Sequence, residues 1–166
     1  MAALLTADLS ILLFHRELIN DRVVRQAMHL VRLVYASTIS DSFKPQDMES
    51  LLTKARAHNT KLGVTGLLCF NRNYFLQCLE GGRAGVNEVY RKILNDPRHT
   101  DAVLLDYREI VKRQFSDWKM GYVPEKAITD EINLMYAPTA RFNPYDMHAE
   151  SAHDLLLALA KQIPLS

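Results

Sequence analysis

Cysteine is scarce in this 166-residue chain: there are two, Cys69 and Cys78. Both sit in apolar, strand-like runs, and their spacing suits no metal site. A disulfide-stapled scaffold or zinc ribbon is thereby excluded. The expectation is two buried free thiols in a reducing compartment, the cytoplasm, with a structural disulfide as the lesser alternative. An excess of one charge is missing too. Twenty Lys and Arg stand against 19 Asp and Glu, a net charge of +1. The basic residues are interleaved with acids, so the chain carries no nucleic-acid signature. No segment is apolar enough to span a membrane. The early run "LSILLF" meets Arg16, Glu17, Asp21 and Arg22 at once, and it lacks the basic start and small-residue cleavage site of a signal peptide. Catalytic signatures are absent as well. There is no GxSxG, HExxH, P-loop or CxxC motif, no paired-carboxylate arrangement, and the six histidines are scattered. Nothing here points to an enzyme.

What is present fits one domain with a tail. Residues 1–29 form a charge-balanced extension with no assigned role. The domain begins at "LVRLVYA" (30–36), short and β-branched, hence a strand. Pro45 opens a helix in which Met48, Leu51, Leu52 and Ala55 recur at helical spacing as far as Asn59. "GVTGLLCF" (63–70) is apolar on both faces and predicts a central strand. Asn71–Asn73 make a tight turn, and "YFLQCLE" returns antiparallel. Val86, Val89, Tyr90, Ile93 and Leu94 predict a second amphipathic helix, stopped by Pro97. Residues 102–111 and 117–123 read as strands four and five. The predicted fold class is therefore α+β: a ferredoxin-like βαββαβ sheet with a fifth strand and two helices on one face. Residues 124–166 predict a helical tail, with helices near 129–136 and 147–162. Leu155, Leu156 and Leu159 form an apolar stripe there, with Leu157 beside it. That stripe predicts packing on the far side of the sheet and a homo-oligomer, with a tail that only caps its own sheet in a monomer as the alternative.

One residue disturbs the third strand. Gln77 points the same way as Phe75 and Leu79, into an apolar layer. Its amide offers donors and acceptors that cost about 1–3 kcal/mol if left unpaired. Tyr35, Trp118 and Met120 on the strands, Asn59 at the end of the first helix, and Arg98 and His99 after the second can converge near it in this fold. Trp118 and Met120 are read as sharing one face of strand five. Each residue also has a structural reading. Tyr35, Trp118 and Met120 serve as core packing, Asn59 as a helix stop, and Arg98 and His99 as a solvated loop. Tyr35 satisfies part of Gln77 without any ligand. A ferredoxin-like enzyme or a metabolite-binding regulatory module remains the alternative on these residues alone.

The stretches "LVRLVYAS", "AHNTKLGVTGLLCFNRNYFLQCLEG", "VNEVYRKILNDPRHT" and "FSDWKMGYV" closely resemble the BLUF domain, the blue-light sensor using FAD. The resemblance runs from about Leu30 to Val123 and includes the Tyr, Asn, Gln, Trp and Met positions together. The tail beyond it resembles that of short, stand-alone PixD-like members. The resemblance implies a photoreceptor, not an enzyme, that binds FAD (FMN as the alternative) between the two helices. It implies Tyr35, Gln77, Trp118 and Met120 as photoactive residues. Asn59 and Gln77 would hold the edges of the flavin, Leu51, Leu68 and Ile93 would sandwich it, and Arg98 and His99 would lie in the same region. It also implies a homo-oligomer and a separate, response-regulator-like partner. His58 and Ala55 depart from residues that relatives often carry at those positions, a second Asn and a hydroxyl residue.

Overall fold

The computed structural model describes residues 29–162. The N-terminal extension, apart from His29, lies outside them. β1 (Leu30–Ile39) leads into a 3₁₀ turn (Pro45–Asp47) and α1 (Met48–Leu62). α1 ends where Gly63 takes the left-handed conformation, φ 62°, that a side chain would strain. β2 (Thr65–Phe70) and β3 (Tyr74–Gly82) form the predicted hairpin, closed by Asn71, whose Oδ1 accepts from the Asn73 and Tyr74 amides. α2 (Arg83–Leu94), β4 (His99–Glu109) and β5 (Gly121–Val123) complete the domain. The tail supplies α3 (Asp130–Tyr136), N-capped by Thr129, and α4 (Ala149–Ala160).

The sheet order is β4-β1-β3-β2-β5, antiparallel except for the parallel β2–β5 pair. This is the expected ferredoxin-like plan with a fifth strand. Strand alternation divides the core into two layers. Leu33, Tyr35, Phe75 and Leu79 face α1 and α2, packing with Leu52, Val86 and Val89. Val34, Leu67, Leu76 and Cys78 face the tail. There Leu155, Leu156 and Leu159 are each 0% exposed, so the predicted stripe is wholly taken up by this chain's own sheet. Burial on that scale contributes about 1.5–3 kcal/mol per leucine. Both cysteines are buried free thiols, as expected.

A polar clamp also ties α4 to the sheet. Arg32 on β1 donates to Asp106 Oδ2 on β4 through Nε (3.1 Å) and Nη2 (2.8 Å). Its Nη1 lies 2.9 Å from Nδ1 of His153 on α4. All three side chains are buried.

Contrary to the expectation from the sequence, residues 117–123 do not form a single strand, and Trp118 and Met120 do not share a face. β5 is confined to Gly121–Val123. Half-buried Trp118 packs with Phe115 in the tail-side core, ring centroids 6.3 Å apart. Met120, 2% exposed, lies in the opposite layer beneath α1. The reason is where the backbone carbonyls go. Trp118 O accepts from the Gly66 amide (3.0 Å), but Lys119 O accepts from Asn59 Nδ2 (2.8 Å) and Met120 O from Arg56 Nε (3.1 Å). Two side chains of α1 thus draw residues 119 and 120 away from a strand ladder. Two smaller differences sit nearby. α1 runs three residues beyond Asn59, and β4 starts at His99 rather than 102.

Candidate functional site

Strand β3 places Gln77 on the helix-facing side of the sheet, opposite Tyr35 in the β1–β3 register. The Tyr35 hydroxyl donates to Gln77 Oε1 at 2.5 Å. The other end of the amide, Nε2, donates to Met120 Sδ at 3.1 Å. Every polar atom of this 6% exposed side chain thus has a partner, but one of them is a thioether, a weak acceptor. Tyr35 is fully buried, and burial, together with the proximity of Tyr90 and Asp96, raises its hydroxyl pKa well above the ordinary phenol value. The phenol is therefore neutral and holds its proton directly against the Gln77 carbonyl oxygen.

Above Gln77, a cleft of about 420 Å³ opens between α1 and α2. Leu51 and Asn59 reach it from α1, Leu68 from β2, Ile93 from α2, and Met120 from the segment before β5. Gln77, Arg98 and His99 line it too. Of the residues singled out in the sequence, two lie outside its lining. Tyr35 sits behind Gln77, and Trp118 belongs to the other side of the sheet. Arg98 is held by its neighbour Asp96, which accepts from the Arg98 guanidinium and backbone amide. Those hydrogen bonds, outweighing burial, keep the Asp96 carboxyl below its usual pKa. His99 lies 4.5 Å from the Phe75 ring, between ring centroids, and its Nδ1 is 2.8 Å from Ser37 Oγ. Burial pushes its pKa down to about 4, so the imidazole is neutral at pH 7.

Sequence reasoning missed the basic rim. Lys54 of α1 and Lys92 of α2 both line the cleft, and Lys92 Nζ lies 2.8 Å from His58 Nε2. Lys54 stands at i+3 from Leu51, so helical phase placed it on the same face. Apolar walls, amide groups at the floor and a rim that sets Lys54, Lys92 and Arg98 against Asp47 and Asp96 suit a flat, aromatic, polar-edged ligand that carries phosphate. Asn59, 1% exposed, spends its Nδ2 on Lys119 O, and its Oδ1 takes no donor among the described residues. It is a free acceptor for a ligand N–H.

The family model "BLUF: Sensors of blue-light using FAD" matches residues 30–121. The blue light- and temperature-regulated antirepressor BluF of Escherichia coli K12 is 40% identical over 80 residues, 47% of this chain and 20% of that protein. The photoactivated adenylate cyclase subunit beta of Euglena longa is 30% identical over 100 residues, 60% of this chain and 12% of that protein. The chain thus spans a fifth or less of the length of these two relatives. Among solved structures, BlsA in its photo-activated state superposes with a TM-score of 0.69 at 32% identity, covering 78% of this chain and 94% of BlsA. The dark-state BLUF protein BlrB gives 0.64 at 30% identity, covering 78% and 96%. The fold agrees with these likenesses, and the family model spans more than half of the chain: the chain belongs to the BLUF family, sensors of blue light using FAD.

Proposed function

We propose that this chain senses blue light through FAD held in the α1–α2 cleft, with Tyr35 as electron and proton donor and Gln77 as the switching element. The observation that carries this reading is the Tyr35–Gln77–Met120 chain of hydrogen bonds at the cleft floor. Leu51, Leu68 and Ile93 would sandwich the ring, Asn59 and Gln77 would take its polar edges, and Lys54 and Lys92 would offer their ammonium groups to the phosphates. Arg98 and His99 shape the end of the cleft, Arg98 through its pair with Asp96. The basic rim would serve FMN as well.

Bound flavin, excited by blue light, supplies an electron acceptor strong enough to oxidise a buried phenol. Tyr35 would give up one electron to it, and the Tyr35 hydroxyl proton, already held against Gln77 Oε1, would follow through the amide to the same acceptor. Tyr35 then recovers both, so no net redox change remains. Gln77 does not return to its starting arrangement. Rotated or tautomerised, its amide re-pairs with Tyr35 and gives up the Nε2–H···Sδ bond to Met120. A buried amide with competing partners is a bistable element. Met120 and Trp118 lie two residues apart on opposite faces of the sheet, which gives the light-driven change a short route to the tail.

Output leaves through a surface. We assign a homo-oligomer, and a separate response-regulator-like protein in the cytoplasm, to the tail. The α4 stripe is occupied by the sheet, so the contact falls to α3, where Leu134 is 59% and Met135 73% exposed. Among the described residues no helix is long and apolar enough to cross a membrane.

Purified protein is expected to be yellow, or to become so when FAD is added. Blue light should shift its spectrum reversibly to the red. Flavin released by denaturation and chromatographed identifies FAD or FMN. A chain that stays colourless with either flavin refutes the reading. For the output, replacing Leu134 and Met135 together by glutamate should yield monomers in light scattering, where the unmodified chain gives a larger species. Equal masses would remove α3 from the interface.

A further inference from the structure

We infer that Arg56 is a positioning residue of the photoswitch: it holds Met120 opposite Gln77 and so sets how fast the lit state returns to the dark one. This rests on the switching role proposed for Gln77. Arg56 and Asn59 are three residues apart on α1 and therefore face the same way. They bind successive carbonyls, Asn59 Nδ2 to Lys119 O at 2.8 Å and Arg56 Nε to Met120 O at 3.1 Å. With the Gly66 amide on Trp118 O, three consecutive residues are strapped down just before β5.

The strap acts on a pliant side chain. Met120 is unbranched and has three rotatable bonds, so the position of its sulfur depends on how firmly the backbone is held. That sulfur is the acceptor for Gln77 Nε2 at 3.1 Å. The dark orientation of the amide needs a donor facing Met120, and a turned amide would present its oxygen to a sulfur that has no proton to give. The Nε2–H···Sδ bond therefore favours the dark orientation alone. Gly121, next in the chain, runs so close to β2 that a Cβ there would lie 2.6 Å from Leu67 Cδ1. The segment is thus tethered on its far side by close packing and on its near side by Arg56. Arg56 itself is exposed and makes no hydrogen bond to Tyr35 or Gln77, and in its absence the Asn59 amide and the Gly66 amide still hold residues 119 and 118, so the fold and the initial light reaction survive its removal.

The test is the decay of the red-shifted state in the dark, on the full flavin-loaded chain. In Arg56→Ala the size of the red shift should match the unmodified protein, while its decay slows at least about threefold, the loss of one modest hydrogen bond. Arg56→Lys keeps a donor of similar reach and should restore most of the rate. In a Met120→Leu background, which has no sulfur to position, Arg56→Ala should change the decay by less than about a third of its effect in the unmodified chain. Unchanged or faster decay in Arg56→Ala, no rescue by lysine, or the full slowing in the Met120→Leu background would each overturn the assignment. Absence of any red shift in the unmodified chain is a separate result. It refutes the switch itself, and the role of Arg56 with it.

Discussion

Blue light produces no red-shifted state in Tyr35→Phe, although flavin stays bound, and Gln77→Leu behaves the same way. Both substitutions keep the apolar bulk of the cleft floor. The walls made by Leu51, Leu68 and Ile93 are untouched, so binding survives. What each removes is one side of the 2.5 Å bond between the phenol and the amide. Phenylalanine has no hydroxyl proton and is a much poorer electron donor. Leucine has no amide to carry the proton or to be rearranged. Tyr35→Phe also leaves Gln77 Oε1 without its donor, at a cost of about 1–3 kcal/mol. That lies inside the usual stability of a domain, about 5–15 kcal/mol. The expected effect is therefore complete loss of the signal in a folded, yellow protein. Absorption spectra before and after illumination check it, and a normal photocycle in either variant would reassign both residues.

Asp106→Ala lowers the stability of the fold by about 3–5 kcal/mol, because it leaves the buried Arg32 guanidinium without its counter-charge. The Arg32 and Asp106 side chains are only 10% and 9% exposed, so water screens the pair little. Burial works against ionised Asp106, but hydrogen bonds from Arg32 and Arg108 outweigh it and hold the carboxyl below its usual pKa. His153 moves in the same direction for other reasons. Burial first, and Arg32 next, push its pKa down to about 4 from 6.5. Glu80 and Cys78 of β3, Asp106 and Arg108 of β4, and Asp154 of α4 also surround this ring. At Asp106 and His153 the folded protein therefore binds fewer protons than the unfolded chain does, whereas Glu80, whose pKa burial raises, works the other way. The stability contributed by the clamp is fully present above about pH 6.5 and falls as the pH drops toward 4, with Asp106 adding a further loss below its ordinary range. Denaturant midpoints at pH 7 and pH 4.5 measure the difference. His153→Leu should flatten that dependence, and an unchanged slope would show that the acid sensitivity arises elsewhere.

The fold was largely legible because its signals are local. Gly63 and Pro97 punctuate the helices, Asn71–Asn73 turn the hairpin, and alternation along Tyr74–Leu79 sorts side chains between two layers. The tail stripe covers the sheet as expected, because Leu155, Leu156 and Leu159 lie on one helical face, but its complete burial there leaves it no part in the expected oligomer contact. Most of the site was legible too. Gln77 announced itself as a polar group in an apolar layer, and its partner Tyr35 emerges from the strand phase. The segment 117–120 was misread because alternation describes side chains only. Its conformation is decided by Asn59 and Arg56, some 60 residues earlier, capturing its carbonyls. No local pattern encodes such a long-range bond. The Arg32–Asp106–His153 clamp was missed for the same reason, since it joins β1, β4 and α4 across 121 residues of chain.

On the proposed mechanism, light rearranges the Gln77 amide. A light-minus-dark infrared difference spectrum tests it most directly, recorded on flavin-loaded protein with ordinary glutamine and again with glutamine labelled with ¹⁵N at the side-chain amide. Labelling should shift a pair of bands, one lost and one gained on illumination, that decay together with the red-shifted state. A difference spectrum with a full red shift and no isotope-sensitive bands would contradict the account, because the colour change would then arise without movement of the amide.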